Sequence, residues 1–303
     1  MSVDEPGPDS TRSALYAALW AGSADKPYDE VREAAVVERR FGPVAPALRR
    51  LRELSDQPLR VLDFGCADGH TAQLILEAAG GPPLAYYGCD LYPLDATAAR
   101  LTRAGFRTKT CSTGLAGMPD DWRDFDAILA LSCMQYVPDT AGTLMGLRDR
   151  LRPGGLFVGY FYDAPPMRRE TDRFLRETFS AQGTGADPAQ SIDRLRALAA
   201  LNCAIRDAVA DTVIDVPAAV PELGIPAGPT RLQQFLIDHV LFAWAPASAS
   251  VERAQWALGE MLLTGPQVYL NEADIRRLMD DAGLTIEQVD SGPSGHLVLA
   301  TKG

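Results

Sequence analysis

The sequence predicts an α/β protein. The expected architecture is a doubly wound, mostly parallel sheet with an antiparallel C-terminal strand pair, N-terminal helices and an inserted helical lid. Three observations predict it. Between about residues 56 and 165, short apolar runs alternate with segments of helical period, the pattern of a parallel sheet covered by helices on both faces. The alternation stops for about a hundred residues that read as helix, then resumes with a helix and two strands. The link between those last strands, SGPSG at 291–295, is short enough to make them an antiparallel pair.

Taken in order, residues 1–10 read as a loose tail, and a helical pattern runs from Ser10 to about Leu54. Ala14, Leu15, Ala18 and Leu19 share one face before a break at Gly22–Pro27, after which a second helix begins. A third helix follows Gly42-Pro43, with Leu48, Leu51 and Leu54 on one side. The first strand is Leu59–Phe64, followed by a helix from Thr71 to Ala79, a strand at Leu84–Cys89 and a helix at Asp95–Ala104. Strands three and four fall at Arg107–Cys111 and Phe125–Leu131, with a helix from Thr140 to Leu151 behind them. Arg-Pro-Gly-Gly at 152–155 reads as a turn leading into a fifth strand, Leu156–Tyr162.

The inserted block reads as four helices, Met167–Phe179, Pro188–Thr212, Thr230–Phe242 and Val251–Leu262, separated by Gly/Pro-rich pieces such as 216–229, with no strand among them. A helix at Asn271–Ala282, stopped by Gly283, leads to strands Thr285–Asp290 and His296–Thr301. The domain expectation is an N-terminal helical segment at 1–55, a core of 56–165 with 266–303, and a helical insertion at 166–265. That insertion suits a lid over a substrate or, alternatively, a homodimerisation arm.

Composition removes several function classes. The 303 residues are 47% hydrophobic and 23% charged, the balance of a globular chain with a real core. A net charge of −11, with lysine only at Lys26, Lys109 and Lys302, lacks the basic footprint that phosphate neutralisation demands, so no nucleic-acid partner is expected. No apolar stretch reaches the roughly 18–20 residues of a membrane span, and MSVDEPGPDSTRS has no apolar segment of signal-peptide type. The five cysteines, Cys66, Cys89, Cys111, Cys133 and Cys203, form no CxxC and read as reduced buried thiols of a cytoplasmic protein. With His70, His239 and His296 far apart and no HExxH, no metal is expected.

The chemistry begins at VLDFGCADG, 61–69. Asp63 ends the first strand, Gly65 and Gly69 frame the turn, and a helix N-terminus with unpaired N–H groups follows. Asp90 ends the second strand 27 residues later, placed to accept hydrogen bonds from two ribose hydroxyls. A glycine turn plus that acid indicates a bound nucleoside. A dinucleotide would call for G-x-G-x-x-G, which this turn lacks.

Together with FDAILALSCMQYV (125–137), LRPGGLF (151–157) and LNEADIRRLMDDAGL (270–284), these motifs resemble the class I S-adenosylmethionine-dependent methyltransferases, a Rossmann-like family. The resemblance covers 56–165 and 266–303. It implies S-adenosylmethionine as cofactor, with Asp63, Gly65, Ala67 and Gly69 at its methionyl part and Asp90 with Leu91 at the ribose. It further implies Leu115 near the adenine and Ser132 leaving the fourth strand. Ala67 stands where the family has its middle glycine, and Gly114 or Leu115 stands where it often has an acid facing adenine.

Methyl transfer from a sulfonium demands mainly orientation and exclusion of water. Ser132, Cys133, Tyr160, Tyr162 and Asp163 leave strands four and five toward the expected cleft. Among them Tyr162 could orient an acceptor or lie near the sulfonium, and Asp163 could act as general base. His239, in the apolar helix IDHVLFAW, is a third catalytic candidate. His70, His296, Tyr16, Trp20 and Tyr28 fit packing roles better. The expected function is methyl transfer to a small-molecule acceptor, of natural-product type. The alternative is an enzyme of the same fold that closes the cofactor's own aminobutyrate chain into a small ring, releasing methylthioadenosine.

Overall fold

The computed structural model describes residues 37–303 except 92, 184–187, 240–249, 252, 253, 256, 257, 260, 261, 263–267, 293 and 294. The side chains of 178–192, 234 and 237–239 also lie outside that description. Tyr16, Trp20 and Tyr28 and the first expected helix fall outside it, and of the second only residues 37–41 are described, as helix. Contacts divide the chain into two compact units, one containing Ala164–Gln267 and the other containing the described residues up to Asp163 together with Val268–Gly303.

The second of these holds a seven-stranded sheet. Its strands are β1 (Leu59–Phe64), β2 (Leu84–Asp90), β3 (Arg107–Ser112), β4 (Phe125–Leu131), β5 (Leu151–Tyr162), β8 (Leu284–Gly292) and β9 (Gly295–Lys302), in spatial order β3-β2-β1-β4-β5-β9-β8. The first five are parallel, and β9 runs antiparallel to both β5 and β8. The winding reverses between β1 and β4, so the carboxyl ends of these two strands border the crevice where such sheets take their ligands.

Strands covered on both faces have to be apolar on both faces, which is why LRVLDF and FDAILAL read as near-continuous runs. On one face Val61, Tyr86, Leu129, Val158 and Leu299 are buried under α1 (Val44–Glu53), α2 (His70–Ala78) and α3 (Asp95–Arg103), through Leu48, Leu76 and Leu101. On the other, Leu62, Tyr87, Ile128, Phe157 and Val298 meet Leu144 and Leu147 of α4 (Thr140–Arg150) and Ile275 and Met279 of α8 (Glu272–Asp281). α1 is clamped by charge as well as packing. Arg49 donates to the Ala78 carbonyl and Arg52 to those of Gly80 and Gly81, which satisfies the open carbonyls at the end of α2.

Most expected elements lie within one or two residues of their predicted bounds, and three details differ. Leu54, expected beside Leu48 and Leu51, is 84% exposed because α1 ends at Glu53 and Leu54 has left the stripe. The Arg-Pro-Gly-Gly segment is not a turn between two elements. It lies inside β5 as an irregularity, with Phe125 opposite Leu151 but Ala127 opposite Leu156, so the extra residues bulge out. Gly154 takes φ +70° there, and the Arg152 guanidinium grips Asp126 at 2.6 Å across the bulge.

The third difference is in the inserted unit, which is not helical throughout. It contains α5 (Pro166–Gly183), α6 (Pro188–Ala208), β6 (Val213–Val216), β7 (Gly228–Arg231) and α7 (Leu232–His239). The antiparallel β6–β7 pair takes residues expected at the end of one helix and the start of the next. The unit has its own core: Leu195, Ala199 and Cys203, one face of α6 at four-residue spacing, pack with Ala254, Leu258 and Leu262. Among the described residues no helix is long and apolar enough to cross a membrane.

Candidate cofactor and acceptor site

The turn from β1 into α2 uses three left-handed residues, Gly65 (φ +72°), Ala67 (φ +44°) and Gly69 (φ +74°). Gly65 has no room for a side chain, since a Cβ there would lie 2.3 Å from the Cys133 Cβ. Ala67 does carry a Cβ in this region, at a cost of about 1–2 kcal/mol relative to an ordinary conformation. Two hydrogen bonds hold it there: its N–H donates to Asp90 Oδ2 at 2.7 Å, and its carbonyl accepts from Thr97 Oγ1 at 2.7 Å. The alanine in place of the family's middle glycine is thus accommodated, and Asp90 builds the turn as well as standing beside it.

Asp63 is buried, and the Tyr86 hydroxyl donates to its Oδ2 at 2.8 Å. Burial pushes its pKa up to about 7; the Tyr86 bond opposes the shift, and the negative charges of Asp90 and Asp68 add to it. Tyr86 reaches Asp63 because the β2 residue paired with Asp63 is Gly88, where a Cβ would meet the tyrosine ring at 3.0 Å. Neither Tyr86 nor Asp68 was singled out from the sequence. The glycine inside the YYGCD strand was the available signal, since such a glycine marks a close approach.

Asp68 decides between ligands. Its Oδ1 accepts from the first N–H of α2, that of His70, and its Oδ2 lies 3.9 Å from Arg100. The helix N-terminus that would cradle a pyrophosphate is therefore covered by the chain's own carboxylate, and Asp63, Asp68 and Asp90 make the turn anionic. That field disfavours a dinucleotide and suits a ligand with a cationic ammonium and sulfonium. His70 sits against Arg100, with Nδ1 3.2 Å from Nη1, as part of this turn.

Around the turn, Leu91 is 43% exposed beside Gly114, and Leu115 opens a short 3-10 turn with its side chain against Gly146 of α4. Ser132, at the end of β4, takes φ +61°, and its carbonyl accepts from Gln135 Nε2 at 2.7 Å. Gln135 is buried, and its Oε1 has no hydrogen-bond partner among the described residues. The Cys133 thiol donates to the Phe64 carbonyl at 3.0 Å, and burial pushes its pKa well up, so it reads as structure, not nucleophile.

On the acceptor side, the half-buried Tyr162 packs edge-on against Tyr160, ring centroids 5.4 Å apart. Asp163 follows it and pairs with His296. His239 is the last residue of α7, and its side chain lies outside the described residues.

Residues 62–157 match the family described as "Methyltransferase domain". Over those residues the chain resembles the class I methyltransferases to which its sequence motifs point. S-adenosylmethionine is the cofactor of that class, and the two strand-end carboxylates, the orphaned Gln135 acceptor and the anionic turn fit it. Among curated proteins, the chain is 29% identical over 187 residues to trans-aconitate 2-methyltransferase of Streptomyces avermitilis, covering 55% of this chain and 65% of that protein. It is 32% identical over 158 residues to the protein of the same name in Methylobacterium radiotolerans, covering 50% of this chain and 56% of that one. The matches thus span less than two thirds of either relative. Among solved structures, 1,6-didemethyltoxoflavin-N1-methyltransferase of Burkholderia thailandensis shares the fold at 14% identity, with a TM-score of 0.50 over 99% of this chain and 93% of that one.

Proposed function

We propose that this methyltransferase domain transfers a methyl group from S-adenosylmethionine to a small-molecule acceptor, one of natural-product type. The observation that carries the reading is the anionic turn: Asp63, Asp68 and Asp90 surround a left-handed loop whose own carboxylate closes the helix N-terminus. When bound, S-adenosylmethionine supplies an electrophilic methyl on a sulfonium. Asp90 accepts from the ribose hydroxyls, while Asp63 in its ionised form balances the methionyl ammonium. The acceptor side draws on where the insertion joins the core. The chain leaves at Asp163 and returns at Val268, whose N–H donates to the Gln135 carbonyl, and the Leu270 N–H donates to that of Tyr162. Both junctions lie at the carboxyl ends of β4 and β5, where such a sheet takes its ligands. The relatives matched are methyltransferases, and the ring-closing alternative draws no support from them. The absence of disulfides among the five cysteines supports a reducing compartment such as the cytoplasm.

The test is calorimetry with S-adenosylmethionine, followed by assay of S-adenosylhomocysteine formed from trans-aconitate and from 1,6-didemethyltoxoflavin. Asp90→Asn keeps an oxygen for the Ala67 N–H but loses the charge facing the ribose. It is expected to weaken binding about tenfold or more, since hydrogen bonds to charged groups contribute about 1.5–3 kcal/mol. Unchanged affinity in this variant, or no binding by the parent, overturns the reading.

A further inference from the structure

Where β5 ends and β9 begins, four polar side chains from separate elements form an unbroken line. Asp163 Oδ2 lies 3.2 Å from His296 Nε2, His296 Nδ1 lies 2.8 Å from Ser291 Oγ, and Ser291 Oγ donates to Glu272 Oε2 at 3.1 Å. The middle is dry and the ends are wet. His296 is 7% exposed, while the Asp163 and Glu272 side chains are 26% and 43% exposed. His296 is positioned by the strand pairing that sets Phe161 opposite it on β5 and Ser291 opposite it on β8. The line thus starts at the carboxyl edge of the sheet and ends at solvent on α8.

Counting protons gives the line a property no single contact has. Two carboxylates have none to donate, the serine has one, and a neutral imidazole has one. Two protons cannot fill three contacts, whichever tautomer is drawn. A third proton, making the imidazolium, fills all of them. The line therefore has room for one proton arriving at the Asp163 end. Of the charged groups near its outer end, Arg276 is bonded to Glu272, and Asp290 on β8 accepts from Gln288. The flanking Phe161 is apolar.

A methyl acceptor with a hydroxyl or ring N–H must shed a proton. Its bond to the methyl carbon forms, the carbon–sulfur bond breaks with its electron pair going to sulfur, and the proton leaves the acceptor atom. The geometry points to Asp163 as the group that receives this proton from the acceptor and to His296 as the positioning residue that stores it, with Ser291 and Glu272 passing it to water. This inference rests on the methyl-transfer reading and narrows it. The acceptor is one that loses a proton on methylation, not a carboxylate, which arrives already ionised.

The experiment uses the full-length protein and the two acceptors above, one a ring N–H compound and one a carboxylate. His296→Gln keeps a hydrogen-bonding side chain that cannot store a proton, and Ser291→Ala cuts the line while leaving Asp163 beside His296. In folded His296→Gln that binds S-adenosylmethionine like the parent, kcat for the N–H acceptor is expected to fall about 10²-fold or more, the range of general acid–base contributions. Its dependence on pH between about 5 and 8 is expected to vanish, which a merely structural role would not produce. Ser291→Ala is expected to fall less and to keep a pH dependence. Parent-like kcat and pH profile in His296→Gln, or turnover of the carboxylate acceptor alone, overturns the inference. If neither acceptor is methylated, ring ¹⁵N spectra decide: His296 must go from one N–H to two on acidification, and Ser291→Ala and Glu272→Gln must alter that step. A step indifferent to both overturns the inference. Failure of the parent to bind S-adenosylmethionine would instead sink the methyl-transfer reading.

Discussion

Burial raises Asp63 to about 7 while its Tyr86 hydrogen bond pulls the other way, so near neutrality this carboxyl exists in both forms. The consequence for stability has a definite sign. The folded pKa lies above the ordinary value of 3.8, so the folded chain binds a proton between about 4 and 7 that the unfolded chain has released. The resulting stabilisation is complete below 3.8 and is lost as pH rises through about 7. In the unliganded protein, Asp63→Asn removes this dependence, so its melting temperature should gain on the parent as pH rises from 4 to 7. A cationic ligand beside Asp63 favours the ionised form, so binding of S-adenosylmethionine at pH 6 should release protons. Calorimetry in buffers of different ionisation enthalpy should show that release in the parent and lose it in Asp63→Asn. Asp63, Gly65, Ala67, Gly69 and Asp90 were legible because backbone conformation and strand ends restrict residue type. Tyr86 and Asp68 were not, because their roles depend on register, with Gly88 opposite Asp63, and on a side chain turning back to its own helix start.

Elements were legible where burial on two faces writes long apolar runs, as in β1 and β4, and illegible where it does not. β6 and β7 are four-residue strands alternating between exposed and half-buried positions, and β7 carries Pro229, which suits only an edge. No hydrophobic pattern announces such a pair. The bulge in β5 was hidden for the opposite reason, because proline and two glycines imitate a turn while the pairing continues through them. The inserted unit shows what a legible helix does energetically. Leu195, Ala199 and Cys203 form one stripe of α6, and Leu195 is fully buried against residues of the same unit. Leu195→Ala should therefore cost about 2–5 kcal/mol of that unit's stability, the usual range for a buried leucine truncation. Because both cores of the seven-stranded sheet are built from other residues, hydrogen exchange should quicken in 166–208 and remain parent-like in β1, β4 and β5.

At the scale of the molecule, a Rossmann-like core is interrupted once, after β5, by a unit with its own hydrophobic centre. The core does not need that unit to close its sheet. β9 already pairs with β5 from Leu156 through Tyr162, and the Leu270 N–H donates to the Tyr162 carbonyl at 3.0 Å, so the two cut ends are neighbours. A linker of about four glycine and serine residues, with a reach of roughly 13 Å, should join Asp163 to Val268 without disturbing the register. The excised protein should melt in one cooperative transition, since what remains is a complete sheet with a hydrophobic core on each face. It should also keep the Asp63–Asp90 turn and bind S-adenosylmethionine measurably in calorimetry, because the bonds that join Asp63 to Tyr86 and Ala67 to Asp90 and Thr97 all lie within the core. The same preparation should then be assayed for methyl transfer to the two acceptors. Retained binding with abolished transfer assigns the cofactor to the core and the acceptor to the insertion. Binding lost from a core that still melts cooperatively would instead assign cofactor contacts to the inserted unit.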